Sequence, residues 1–162
     1  AKVGDLDDAL QLRWLHALEG APSPALTDLT TVVPGRVVGP LVGGNLAVLA
    51  ALVGTPFAPP LDGSVLFLED IGERPYRIDR MLTTLTHAGW FEQVRGVAFG
   101  AFTDCAPGVD GVSGRDVLVR HAEALGLPCV LDVPAGHVDD NRELPLGRTV
   151  TLDATARILH FE

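Results

Sequence analysis

Cysteine occurs only twice in these 162 residues, at Cys105 and Cys129. That is too few for a disulfide framework, and the spacing matches no zinc pattern, so reduced thiols in a cytoplasmic protein are the expectation. Long hydrophobic runs are missing as well. The longest, the eight residues from Leu46 to Val53, falls far short of the roughly 20 that a membrane-spanning helix needs. No basic n-region followed by a small-residue cleavage site is read as a secretory signal. Basic clusters are absent too: 21 Asp and Glu outweigh 12 Lys and Arg, for a formal charge of −9. Without a stretch that could neutralise successive phosphates, neither nucleic acid nor an anionic membrane is an expected partner. Serine is sparse, with Ser23, Ser64 and Ser113 the complete set. There is no internal repeat and no low-complexity tract.

What remains is the composition of an ordinary globular protein, 47% apolar and 20% charged. The length fits one domain that buries roughly two thirds of its unfolded surface. Leu6, Leu10, Trp14 and Leu18 form one stripe of a first helix, with Asp5, Asp7 and Asp8 at the positive end of its dipole and Gly20 and Pro22 to stop it. Two short strands are expected around the Pro34-Gly35 turn. Asn45 is then placed to cap LAVLAALV, a helix apolar on every side and therefore expected to be buried. The strand VLFLE follows. Next comes a helix with Pro75 in its first turn and Ile78, Met81, Leu82 and Leu85 at i, i+3, i+4 and i+7. Residues 94–102 read as a buried strand, and Ser113-x-x-Asp116 as a capping box that opens a helix to Leu125. CVLDV at 129–133 reads as a further buried strand, and TVTLDATARILHF as a closing hairpin. Strands alternating with helices, with extra β structure at both ends, predict an α/β domain that combines parallel crossovers with a β layer.

Two segments put a potentially catalytic side chain just past an apolar strand. Glu69 ends the run Val65 to Leu68, and His137 follows CVLDV beside Gly136. Such loops are where ligands and catalytic groups collect in βα units. A carboxylate and an imidazole supplied from separate strand ends suit the orienting and base members of a hydrolytic triad. The competing readings are plainer: Glu69, Asp70 or Glu73 as a carboxylate near the N-terminus of the Pro75 helix, and His137 as a solvated loop residue. No serine sits on a strand-to-helix elbow, since Ser23 lies between prolines, Ser64 begins a strand, and Ser113 reads as a cap. Cys105 follows a strand and could pair with His137, but nothing nearby is basic enough to depress its pKa. His137, Asp139 and Asp140 match no familiar metal spacing and read as a polar loop. Gly43-Gly44-Asn45 reads as a tight turn with an N-cap rather than an anion site.

Taken together, residues 43–90, the strand ending GAFTDC, then PAGH at 134–137 and LPLG at 144–147 resemble the C-terminal half of serine-type LD-carboxypeptidases. That family includes murein tetrapeptide carboxypeptidases and microcin C immunity peptidases. The resemblance runs from about Gly39 onward. It implies a three-layer swivelling β/β/α domain with a partly parallel sheet. It also implies that Glu69 of LEDIGE and His137 of PAGH are the Glu and His of a Ser-Glu-His triad, with no cofactor or metal.

In the family an N-terminal domain supplies the nucleophilic serine and the oxyanion donors. The 162 residues are accordingly expected to be a single C-terminal domain, with 1–24 as a helical approach segment and joint, inactive without the upstream domain. The expected partners are that domain, a muropeptide substrate and a second copy in a homodimer. The expected reaction is release of the terminal D-amino acid from L,D-linked murein tetrapeptides in cell-wall recycling. Arg77, Asp79 and Arg80 are candidates to position Glu69, against ion pairing on the helix surface. Two other readings stand beside this one: a non-catalytic interaction module of the same fold, and a hydrolase of microcin-type aminoacyl-nucleotides. Glu69 and His137 within hydrogen-bond reach in a cleft would favour the enzyme over the module.

Overall fold

The structure, a computed structural model, describes residues 8–20 and 23–162. Asp5, Leu6, Asp7 and Pro22 of the expected first helix and its stop lie outside them. Helices α1 (Asp8–Leu18), α2 (Leu46–Leu52), α3 (Pro75–His87), α4 (Trp90–Gln93) and α5 (Gly114–Leu125) accompany seven strands. The strands are β1 (Thr30–Val33), β2 (Arg36–Asn45), β3 (Val65–Ile71), β4 (Gly96–Thr103), β5 (Cys129–Leu131), β6 (Thr149–Asp153) and β7 (Ile158–Phe161). They form one sheet in the order β1-β5-β4-β3-β2-β6-β7. Strands β2, β3, β4 and β5 run parallel, while β1, β6 and β7 pair antiparallel.

β2 explains the architecture. Its first half, Arg36 to Pro40, pairs with β6, and its second half, Leu41 to Asn45, pairs with β3. The sheet curls over at this change of partner. β1 and β2 are joined by Pro34-Gly35 alone yet stand four places apart in the strand order. A flat sheet would separate them by about 19 Å at its usual strand spacing. The three Cα–Cα steps between their ends span at most about 11 Å. The curl removes the conflict by folding the start of β2, with β6 and β7, across the face of the parallel strands.

The period-two alternation of the strands then fills two cores. Leu66 and Leu68 of β3, Val97 and Phe99 of β4, and Leu131 of β5 face the helices, where Ile78, Leu82 and Leu85 of α3 and Leu118 of α5 meet them. Val65 and Phe67 of β3, Ala98 of β4 and Val130 of β5 face the other way, against Val150, Leu152, Leu159 and Phe161 of the overlying strands. These are the β/β/α layers implied by the family resemblance.

Local signals are realised closely. The capping box of α5 is complete, with Ser113 Oγ accepting from Asp116 N and the Asp116 side chain accepting from Ser113 N. Asn45 caps α2 through its side-chain oxygen, which accepts from Val48 N at 3.1 Å. Three expectations are corrected. α2 is not buried all round, because seven residues at the edge of the helix layer turn Val48 outward, 59% exposed. The α1 stripe does not continue to Leu18, which is exposed. β2 is one ten-residue strand running straight through Gly43-Gly44-Asn45, not a short strand and a turn. The four-residue α4 is too short to carry a periodic signal. No helix among the described residues is long and apolar enough to cross a membrane.

Candidate active site

Along β3 the residue order is Leu68, Glu69, Asp70, and alternation sends the two carboxylates to opposite faces. Asp70 goes to the helix side. It accepts from Asn45 Nδ2 (2.9 Å), Ile71 N (2.8 Å) and Ala47 N (2.9 Å), so it fixes the entrance of α2 rather than that of α3. Glu73 likewise serves α3 only as an i,i+4 partner of Arg77, at 3.6 Å. Glu69 continues the Val65–Phe67 face instead, and emerges at the rim of the β/β layer.

His137 reaches Glu69 through the chain that leaves β5. Asp132 turns that chain with a left-handed backbone, φ 66°, and is held by two hydrogen bonds from Arg115 and one from Thr30. The Arg115 guanidinium, chiefly, holds the Asp132 carboxyl below its usual range. Residues 133–135 are then stitched along β4 by Val133 N to Phe99 O (3.1 Å) and Ala101 N to Ala135 O (2.9 Å). Opposite Glu69 the β3–β4 register slips by one residue between Leu68 and Asp70. Such irregularities re-aim side chains beside functional sites.

Gly136 comes next, with φ 121°, and a Cβ there would lie 2.7 Å from Glu69 Oε2 and 3.0 Å from Glu69 Cβ. Both the backbone conformation and the lack of space exclude a side chain. Its N–H donates to Asn141 Oδ1 (2.9 Å), and the His137 carbonyl accepts from Thr103 Oγ1 (2.8 Å). The imidazole is thereby delivered with Nδ1 2.8 Å from Glu69 Oε2.

Burial within the pair is asymmetric. The Glu69 side chain is 8% exposed and the His137 side chain 50%. An ionised carboxylate only accepts, so the shared proton sits on His137 Nδ1 and the free lone pair on Nε2. With Nδ1 engaged by Glu69, Nε2 is the ring nitrogen left without a partner, and the imidazole borders a cleft of about 820 Å³. Leu10 and Trp14 of α1 form part of the wall. α1 is tied there by Arg13, which donates to Asp140 Oδ1 (2.8 Å), Glu143 Oε2 (3.0 Å) and Asn141 O (2.8 Å).

No serine, threonine or cysteine among the described residues lines this cleft. Ser64 is buried, its Oγ donating to Leu61 O (2.6 Å), and Ser113 is consumed in the α5 cap. Ser23 lines a different hollow, beside Trp14 and Arg148. Cys105 donates to Thr103 O (3.4 Å) and borders another hollow, where burial raises its pKa and keeps it a thiol. Burial pushes Cys129 up to about 12. A Cys105–His137 pair is therefore not formed. No group of three His, Cys, Asp or Glu among the described residues is arranged to hold a metal.

Arg77 and Asp79 do not reach Glu69. Arg77 contacts Glu73 and Tyr76, and Asp79 accepts from Arg120 Nη2 (2.7 Å) and His121 Nε2 (2.9 Å) of α5. Sequence reasoning missed Arg13, whose partners lie more than a hundred residues away, and Asn141, whose capping of Gly136 leaves no periodic trace.

Residues 38–152 match the sequence family described as the LD-carboxypeptidase C-terminal domain. The chain belongs to that family. The murein tetrapeptide carboxypeptidase of Pseudomonas aeruginosa is 38% identical over 121 residues, covering 73% of this chain and 39% of the relative. The crystal structure of muramoyltetrapeptide carboxypeptidase from Oxalobacter formigenes superposes with a TM-score of 0.82 at 31% identity, over 98% of this chain and 55% of that one. The microcin C7 self-immunity protein gives a TM-score of 0.71 at 24% identity, over 84% of this chain and 41% of that one, a likeness of fold. The LD-carboxypeptidase C-terminal domain described above spans about half the length of the curated relatives it matches, 48% and 42% of the first two.

Proposed function

We propose that this domain supplies the glutamate and histidine of a Ser-Glu-His triad, Glu69 and His137, in a carboxypeptidase that releases the terminal D-amino acid from L,D-linked murein tetrapeptides. An N-terminal domain carries the serine and the oxyanion donors, and the site is completed where the two domains meet. The observation that carries the reading is the 2.8 Å contact of His137 Nδ1 with the buried Glu69 carboxylate, which leaves Nε2 basic over an open cleft without a nucleophile of its own.

In the reaction, the incoming serine hydroxyl loses its proton to His137 Nε2 as its oxygen attacks the carbonyl carbon of the L,D-peptide bond. Glu69 holds the tautomer and stabilises the imidazolium that forms. The same proton passes to the amine of the departing D-amino acid as the C–N bond breaks. Water, deprotonated by His137, then releases the acyl group and regenerates the serine. The domain alone lacks the nucleophile and also the oxyanion donors, one of which is worth roughly 10²–10³ in rate.

The test is D-alanine release from a murein tetrapeptide by the full-length protein and by the 162-residue chain in parallel. Release by the full-length protein alone is the expected result. Release by the 162-residue chain, whether or not the full-length protein also releases it, would overturn the divided triad, and release by neither would overturn the substrate. The reading extends to a cytoplasmic setting, supported by the two free thiols, and to a homodimer, supported by the exposed Val48 and Phe57. Light scattering on the purified protein reads the dimer directly.

A further inference from the structure

The cleft wall contains a cation for which the triad has no use. Arg142 is the one Lys or Arg among the described residues that line it. Two acids of the same wall are otherwise engaged, Glu69 with His137 and Glu143 with Arg13, while the third, Asp139, is exposed and forms no ion pair with Arg142. Arg142 Nε is buried and has no hydrogen-bond partner, and the guanidinium forms no ion pair among the described residues. A buried, unpaired charged donor is unfavourable; the other buried side-chain atom without a hydrogen bond among the described residues, Glu73 Oε2, at least faces Arg77 at 3.6 Å.

The Arg142 backbone, in contrast, is firmly held. Its N–H donates to Pro134 O (2.8 Å), and its neighbours Asn141 and Glu143 are both gripped by Arg13. The guanidinium is thus carried on a fixed stretch of loop, near His137 in sequence, with its fork of donors uncommitted. That fork matches the two oxygens of a carboxylate, which it takes in paired hydrogen bonds.

We infer that Arg142 binds the free carboxylate of the substrate's terminal D-amino acid and so restricts cleavage to the last bond of the peptide. This rests on the carboxypeptidase reading above. In that reaction His137 returns its proton to the amine of the leaving residue, whose carboxylate is on the neighbouring carbon. The group that marks a chain end therefore lies beside the proton donor, on the side of the cleft where a cation is needed. At an internal bond the same position would hold a neutral amide and the chain that continues from it, so a cation there favours the terminal residue.

The test separates binding from hydrolysis. N-acetyl-D-alanine and its uncharged amide are titrated by NMR into the full-length protein and into R142M and R142K variants whose melting temperatures match the parent. The parent is expected to bind the acid at least about tenfold more tightly than the amide, the scale of one charge-assisted contact. R142M should bind acid and amide equally, and R142K should recover part of the preference. Equal binding of the two by the parent, or a preference that survives in R142M, overturns the inference. In parallel, R142M should raise KM for the tetrapeptide about tenfold or more, with a smaller change in kcat, as loss of a contact made equally in ground and transition states does. If the parent hydrolyses nothing yet prefers the acid through Arg142, the substrate assignment falls and the carboxylate site stands.

Discussion

Two histidines of this domain meet carboxylates at nearly the same distance, His137 with Glu69 at 2.8 Å and His121 with Asp79 at 2.9 Å. Distance does not tell them apart; disposition does. His121 uses Nε2, its ring is mostly buried between α3 and α5, and its carboxylate is shared with Arg120 and nearly half exposed. That arrangement fastens two helices. His137 uses Nδ1, its ring is half exposed, and its carboxylate is the buried member. A carboxylate inside and an imidazole outside leave Nε2 free for a third group, whereas a carboxylate outside and an imidazole inside spend Nε2 on the fold.

The sharpest way to break this contrast is to delete each ring in the full-length protein. His137→Ala should lower kcat/KM for tetrapeptide hydrolysis by about 10³-fold or more, the scale of losing a triad base, while His121→Ala should change it less than about threefold. Similar losses in both would erase the distinction. Exchanging the carboxylates is nearly as decisive. Glu69→Gln keeps the shape but offers His137 Nδ1 an amide that stabilises no imidazolium, and should cost about 10²–10⁴ in kcat, whereas Asp79→Asn should leave kcat near its parent value.

A smaller effect tests the packing that creates the asymmetry. Gly136→Ala places a methyl group against Glu69 at a backbone angle unfavourable to side chains. It should lower stability in urea by about 1–3 kcal/mol and depress kcat at the same time. Unchanged kcat would mean that Gly136 does not set the His137–Glu69 contact. The smallest effect is on acid stability. The His121 hydrogen bond, above all, lowers the Asp79 pKa below its ordinary 3.8. Between that value and the lower folded one, the unfolded chain binds more protons, so this contribution is present above pH 3.8 and is lost as pH falls through the folded pKa. Asp79→Asn should therefore flatten the dependence of the urea midpoint on pH below about 4, with a change small enough to reflect solvent screening of an exposed pair.

Elements whose causes are local were legible in the sequence. α3 carries its i, i+3, i+4, i+7 apolar face between Pro75 and Gly89, α5 carries its own capping box, and β6 and β7 adjoin across a short turn. The pairing of β1 with β5, and of β2 with both β3 and β6, depends on strands far along the chain and leaves no local trace. α2 misled because uniform apolarity reads as burial, although a face at the edge of a layer can be apolar and open. At the site, Glu69 and His137 were legible as residues just past apolar strands. Their contact was not, since it needs the β3–β4 register slip and the empty space of Gly136, both of which are tertiary facts. Arg142 carries no signal in the sequence, because its lack of a partner is set by tertiary contacts that occupy Glu69 and Glu143.

The divided pairing of β2 also governs when this domain can be completed. Arg36 to Pro40 find their partners in β6, which is bordered in turn by β7. During synthesis the parallel strands and their helices can emerge and associate while the first half of β2 still lacks a neighbour. The Val65–Phe67 face beneath it stays uncovered until residues 149–161 leave the ribosome. Closure therefore waits for β6 and β7, after all the parallel strands and their helices. A polypeptide stalled or clipped before β6 would expose an unpaired strand edge and an apolar sheet face together, the combination that favours aggregation and engages chaperones.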